Sequence, residues 1–327
     1  MKVLVTGAGS LLMREVAIAL ATRGEEVVCM QRREAHFPPG VRVHQELGDI
    51  TNLEAVAKAM AGCDGVVHGA ARVGVVGTWN DFYNTNVVGT QNILAAAQTQ
   101  HVPRIVYVST PSVAHHGLSL VGADATPAVT GHQRAYYAES KAIAETEALN
   151  ANSNTCAVVA VRPHLVWGPG DTQLVGRIVD RAQKNKLAMV GSGSALIDST
   201  YITNAVTALV AAVDALQVGA TCAGKAYVIA NGEPRTVREL MQEICNAAGV
   251  PFRPKKVPLS VALAVGSLME RVWPRMGNGE PPLTRFVAEQ LGTAHWFNPR
   301  PAAQDLNWSP TVSLDEGFAE LHRWFLE

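Results

Sequence analysis

The chain opens on Val3-Leu4-Val5-Thr6-Gly7-Ala8-Gly9-Ser10, and a helical pattern over residues 11–22 follows at once. The short apolar run reads as a strand buried on both faces. The glycines behind it make a tight turn, and the helix that follows presents free backbone N–H groups and its positive end. Strand, glycine turn and helix N-terminus together form an anion site suited to a dinucleotide pyrophosphate, with Gly7, Gly9, Ser10, Leu11 and Leu12 as its residues. The glycine pattern is incomplete. Read as GxGxxG, its third glycine is Leu12; read as TGxxGxxG, Ser10 and Met13 replace the later two.

The rhythm continues outward from this unit. Strand patterns rich in Val and Ile lie at residues 26–30, 41–44, 65–68, 104–108 and 157–161, with helical patterns at 52–60 and 81–99 between them. Such alternation predicts βαβ units and a doubly wound parallel α/β sheet of Rossmann type. Beyond about residue 190 the order becomes irregular. A helix at 202–216, a strand at 225–230 and a helix at 236–248 precede an apolar stretch at 257–269. Pro- and Gly-rich punctuation at 273–282 and a closing helix at 314–325 complete the chain. We expect a nucleotide-binding part with the catalytic residues over 1–190. A smaller C-terminal substrate lobe would occupy 191–327, with some segments returning to the core.

The 327 residues are 48% hydrophobic and 17% charged, with a formal net charge of -1. That composition suits a compact soluble chain and lacks the dense basic footprint of a nucleic-acid binder. Five scattered cysteines without a CxxC pair read as reduced thiols. The chain also starts directly on a strand, so we expect a cytoplasmic protein without a cleaved signal. No ligand spacing suggests a metal; His115 and His116 read as the rim of a substrate mouth. The apolar stretch contains Pro258, Ser260 and Gly266 and is too short to span a bilayer. It reads first as a substrate-lining helix and second as a contact with a membrane surface. Trp296 and Phe297 read as core ahead of pocket lining. A homodimer is the expected assembly.

Cofactor choice turns on Met30-Gln31-Arg32-Arg33 at the end of the second strand pattern. An acidic residue there would bind the ribose 2′-OH of NAD. Arg32 and Arg33 can instead clamp a 2′-phosphate, which favours NADP(H) over NAD(H). Further along, Tyr137-Ala138-Glu139-Ser140-Lys141 places Tyr137 and Lys141 on one helical face. An ammonium beside a phenol stabilises the phenolate and lowers its pKa toward a useful range. Upstream, Val106-Tyr107-Val108-Ser109-Thr110 brings hydroxyls to the carboxyl edge of the sheet, where ligands bind in open α/β folds.

These motifs combine with Gly48-Asp49-Ile50, His68-Gly69-Ala70-Ala71, Asn86-Val87-Val88-Gly89-Thr90 and Ser109-Thr110-Pro111-Ser112-Val113. Arg162-Pro163-His164-Leu165-Val166-Trp167-Gly168-Pro169-Gly170-Asp171 and Asp198-Ser199-Thr200-Tyr201-Ile202 complete the set. On them the chain resembles the extended short-chain dehydrogenase/reductases along essentially its whole length, nearest the 3β-hydroxysteroid dehydrogenase-like branch. The resemblance implies that Tyr137 is the general acid–base. Lys141 would hold the nicotinamide ribose and tune Tyr137, and Thr110 would polarise the substrate carbonyl. Asp49 and Ile50 would flank the adenine, Ala70 and Ala71 the ribose-phosphate path, and Pro163, Leu165 and Val166 the nicotinamide. Asn86 and Ser109 join the cofactor set; Ser112, His164 and Asp198 are the substrate candidates. Met13 stands where the family has a glycine. We expect the first helix to shift slightly and the phosphate turn to survive. Met13→Gly should then raise cofactor affinity modestly, with little change or some loss in thermal stability.

The implied reaction is hydride transfer between NADP(H) and a ketone or secondary alcohol. The apolar stretch and the low charge of the second half point to a lipophilic substrate, such as a long-chain 2-alkyl-3-keto acid or a sterol. One alternative is a nucleotide-sugar epimerase or dehydratase, but Arg235, Arg238, Arg253, Lys255 and Lys256 form no obvious diphosphate clamp. Another is a non-catalytic NADP(H)-binding regulator, against which the presence of Tyr137 and Lys141 speaks.

Overall fold

In the computed structural model, which describes residues 1–74, 76–114, 117–131, 135–276 and 283–327, the apolar runs of the first half align as one sheet. Its strands are β1 (Lys2–Thr6), β2 (Glu26–Gln31), β3 (His44–Leu47), β4 (Gly65–His68), β5 (Arg104–Val108), β6 (Ala157–Pro163) and β7 (Ala226–Ile229). They lie in the order β3-β2-β1-β4-β5-β6-β7, every neighbouring pair parallel. The winding reverses between β1 and β4, and that switch point sets the ligand crevice. β7 comes from the C-terminal half and forms one edge of the sheet.

Both faces of the sheet are covered, which explains the unbroken apolar runs. Val3 and Val5 point into one core with Met13 and Val16 of α1 (Leu11–Thr22). Leu4 points into the other, with Val56 of α2 (Leu53–Met60) and Ile93 of α3 (Gly89–Thr99). β3 lies three residues beyond its expected place at 41–44. It is a half-exposed edge strand, so burial leaves no continuous apolar mark on it, and its register comes from pairing Val28 with His44. The chain leading into α3 is also irregular. Trp79–Phe82 is α-helical and Tyr83–Val88 forms a π-helical segment that carries Asn86. Such segments free backbone carbonyls and recur at functional sites.

Tyr137 and Lys141 lie on α4 (Tyr136–Asn150). In the second half, α5 (Val175–Gln183) is followed by α6 (Ile202–Ala215), which packs with α1 on the sheet instead of forming part of a lobe, and by α7 (Val237–Ala247). A small sheet of Arg235–Thr236, Leu196–Ile197, His295–Phe297 and Leu120–Ala123, in that order, braces the substrate side. The apolar stretch divides. Val257 ends the strand Lys255–Val257, and the helix runs from Leu259 to Met276, through the first part of the expected punctuation. Residues 277–282 of that punctuation, and His115 and His116, lie outside the described residues. Among the described residues no helix is long and apolar enough to cross a membrane.

Candidate active site

The carboxyl ends of β1, β2 and β4 enclose a groove of about 630 Å³. Of the expected cofactor residues, Gly7, Gly9, Ser10, Arg32, Arg33, Asp49, Ile50, Ala70 and Ala71 line it. Gly7 turns the chain at φ 85°, and a Cβ there would stand 2.8 Å from the Ala70 backbone. Gly9 is different: a Cβ there would meet no atom within 4 Å, so the protein's own packing does not require glycine. What glycine preserves there is open room on the groove, the room a pyrophosphate needs. Ser10 caps α1, its Oγ accepting from the Met13 N–H at 3.4 Å and donating to the Gly7 carbonyl at 3.0 Å. Leu11 and Leu12 bury their side chains against the core and take no part in the lining. Their backbone N–H groups find no acceptor among the described residues, as the first turn of a helix leaves them.

Met13 resolves the missing glycine in an unexpected way. Its side chain is 2% exposed and lies over Gly69, where a Cβ would stand 2.2 Å from the Met13 sulfur. The room for the thioether therefore comes from a glycine on the other side of the switch point. This corrects the expected outcome of Met13→Gly. The substitution opens a cavity, which costs about 2–5 kcal/mol for a buried methionine cut to a small residue, with about 1 kcal/mol more in helix propensity. Gly69→Ala should cost about 1–3 kcal/mol by overpacking and much less in the Met13→Gly background. Urea unfolding of the two single variants and the double variant measures that coupling.

A chain of hydrogen bonds ties the switch point to the π segment. Ala70 N–H donates to Thr6 Oγ1 (3.1 Å), which faces His68 Nδ1 at 2.7 Å. His68 Nε2 meets Thr90 Oγ1 at 3.1 Å, and Thr90 donates to the Asn86 carbonyl at 2.7 Å. Burial, aided by the Lys141 charge, pushes the His68 pKa down to about 3, so the ring is neutral. With Thr90 donating onward, Nε2 carries the proton and Nδ1 accepts from Thr6. Asn86 was expected on the cofactor. Instead it is buried, its amide donating to the Arg72 carbonyl (3.0 Å) and Ser140 Oγ (2.9 Å), so it positions α4. Ser109 and Pro163 are also buried, and neither is among the residues that line the groove.

Tyr137 and Thr110 meet at the wall of a second cavity, a cleft of about 390 Å³. Burial raises the Tyr137 pKa to about 12, and a hydrogen bond from the Thr110 hydroxyl partly offsets this. Ser112 reinforces Thr110 through hydroxyls 3.0 Å apart. Lys141 follows Tyr137 by one turn of α4. Its ammonium donates to the Val108 carbonyl at 2.7 Å and lies 4.1 Å from the centre of the Tyr107 ring. It is 3% exposed, and burial lowers its pKa to about 7 while Glu145 opposes the shift. With its charge so placed and weakened, the predicted lowering of the Tyr137 pKa is not seen. One turn on, Glu145 grips Arg162 of β6 in a wholly buried pair, and Arg162 also donates to the Thr126 carbonyl at 2.8 Å.

Ser112, His164, Leu165 and Val166 line the same cleft as Tyr137 and Thr110, the end of the site that a nicotinamide would have to reach. Asp198 does not reach it. It is buried beneath, its carbonyl 2.7 Å from His164 Nδ1, and desolvation lifts its carboxyl pKa to about 7. Phe297 is buried as expected, in a small core cluster with Val228 and Ala230, and it also lines the cleft, where it meets the His164 ring edge-on at 5.0 Å. The rest of the wall is largely aliphatic, with Ile178, Met241 and Phe286 among it, and α5 adds Arg177 and Arg181. No motif marked those two arginines; their four-residue spacing, which puts both on one helix face, was the available signal. Glu34 and Thr85 are further groove residues that the sequence did not single out.

The doubly wound parallel sheet with a groove at its switch point is a dinucleotide-binding, Rossmann-type fold. The chain belongs to the 3-beta hydroxysteroid dehydrogenase/isomerase family, whose sequence model matches residues 5–260. A protein of Stenotrophomonas maltophilia named 2-alkyl-3-oxoalkanoate reductase is 44% identical, covering 98% of this chain and 98% of its own. One of the same name from Shewanella oneidensis is 37% identical over 97% of this chain and 84% of its own. A 3-beta-hydroxysteroid dehydrogenase of Mycolicibacterium neoaurum is 30% identical over 98% and 90%. Among solved structures, UDP-glucuronic acid 4-epimerase from Bacillus cereus in complex with NAD superposes with a TM-score of 0.74. It shares 21% identity over 100% of this chain and 99% of that one, a likeness of fold alone.

Proposed function

We propose that the protein is an NADP(H)-dependent reductase of the ketone in a long-chain 2-alkyl-3-oxo acid. The observation that carries this reading is the Tyr137–Thr110 pair set into the wall of a largely apolar cleft. The names of the relatives supply the substrate class. The groove fits a dinucleotide through the room above Gly9 and the two N–H groups of α1, and the bound nicotinamide supplies the hydride. The protein's own residues handle the proton. A phenol that titrates near 12 stays protonated at neutral pH, so Tyr137 can give its proton to the ketone oxygen as charge develops there. Thr110 hydrogen-bonds that site, and the aliphatic wall takes the alkyl chains. Arg177 and Arg181 are the cations placed to meet the carboxylate. The test is a comparison of kcat/KM for a long-chain 2-alkyl-3-oxo acid, its methyl ester and a UDP-sugar. The free acid should be the best substrate, and a UDP-sugar turned over faster than the acid would overturn the reading.

The preference for NADP(H) rests on Arg32 and Arg33, both exposed on the groove rim and neither in an ion pair among the described residues. Gln31, beside them, is neutral and buried, its amide donating to Gln45 Oε1 at 2.7 Å. A charge-assisted clamp contributes about 1.5–3 kcal/mol, so NADPH should bind about tenfold or more tighter than NADH. Arg32→Ala with Arg33→Ala should erase most of that gap in a fluorescence titration. Equal affinities in the unchanged protein would contradict it.

A further inference from the structure

Helix α8 (Leu259–Met276) is apolar on two sides. One side is accounted for. Ala262 is fully buried, and Gly266 lies so close to the start of α9 (Arg285–Gly292) that a Cβ would stand 2.6 Å from the Arg285 nitrogen. The other side is not. Val261, Val265 and Leu268 are 47%, 38% and 56% exposed, and their spacing of four and three residues puts them on one stripe. Directly before the helix, Arg253, Lys255 and Lys256 are exposed, and none forms an ion pair among the described residues. An apolar stripe bordered by unpaired cations is what a helix lying in the plane of an anionic bilayer presents. A second copy of this chain would need carboxylates opposite those cations, and α8 itself offers Glu270, which is spent on the Arg285 N–H at 2.8 Å.

We propose that this face docks on anionic lipid. The orientation has a use that rests on the reading given above. Phe286, Val287 and Leu291 of α9 line the apolar cleft, and α9 packs directly on α8. Docking by α8 therefore puts the cleft wall beside the bilayer, where a substrate with long alkyl chains resides. The strand Lys255–Val257 pairs with Ala188–Val190, and Leu187 and Ala188 belong to the same cleft, so the basic edge and the substrate site are joined through two short strands.

Co-sedimentation with phosphatidylethanolamine vesicles, with and without phosphatidylglycerol, tests this without any substrate, so the result is independent of the reductase reading. The protein should pellet with the phosphatidylglycerol vesicles and be released by salt. Lys255→Glu with Lys256→Glu should weaken binding by at least about fivefold for each charge. Val265→Glu with Leu268→Glu should abolish it, while NADPH binding in the groove, measured in parallel, stays unchanged and shows that the variant folds. Protein remaining in the supernatant with both vesicles would overturn the proposal. So would vesicle binding equal in all three proteins. A shift from dimer to monomer in the Val265→Glu/Leu268→Glu protein, without lipid binding by the parent, would assign the face to a second copy instead.

Discussion

Replacing Tyr137 by Phe is expected to lower ketone reduction by about 10²–10⁴-fold, the scale of general acid–base catalysis, and to leave NADPH affinity unchanged. The expectation follows from where the phenol sits. Thr110 donates to it and desolvation holds its pKa near 12, so its own proton is available to the cleft at neutral pH. The same placement sets a pH signature. Reduction uses the protonated phenol and should show no loss of the acid through the neutral range. Oxidation of the alcohol needs the phenolate, whose population rises about tenfold per pH unit below the pKa. The initial rate of alcohol oxidation should therefore climb steeply with pH between neutral and mildly alkaline buffer, and a flat profile would show that another base takes the proton.

The second large effect concerns stability. Glu145 and Arg162 are 0% and 1% exposed, and the guanidinium has the carboxylate and the Thr126 carbonyl as its partners. Removing the carboxylate by Glu145→Ala strands a buried cation and should cost about 3–5 kcal/mol. Replacing both residues with apolar ones of similar volume should recover much of that loss. Urea unfolding of the single and double variants decides it. Because the pair joins α4 to β6 one turn beyond Lys141, the single variant should also slow turnover by loosening the helix that carries Tyr137. A single variant as stable as the parent would mean that the cation finds water or another acceptor.

Sequence reading worked where one physical cause left a local mark. A strand covered on both faces must be apolar throughout, so β1, β4 and β5 stood out within one residue, whereas the half-exposed β3 was misplaced. Tyr137 and Thr110 were legible because helix spacing and a strand end locate them. What escaped was set by contacts between distant segments. Nothing near Met13 announces that Gly69 makes room for it, and nothing near Phe297 shows that it faces His164. The burial of Lys141 was hidden for the same reason: its ammonium donates to the Val108 carbonyl, a partner thirty-three positions away in the chain. Asn86 looked like a cofactor ligand by motif, but the π segment turns its amide toward Arg72 and Ser140.

The central claim is that hydride reaches a ketone carbon in the apolar cleft while Tyr137 supplies the proton. A single turnover with NADPH carrying deuterium at both C4 positions, and a long-chain 2-alkyl-3-oxo acid as acceptor, measures this directly by mass spectrometry of the product. The account predicts a 3-hydroxy acid with one deuterium at C3, formed in equal amount to NADP⁺ and about 10²–10⁴-fold more slowly with Tyr137→Phe. A product without deuterium, or a UDP-sugar isomerised with no net oxidation of NADPH while the keto acid is left untouched, would contradict it.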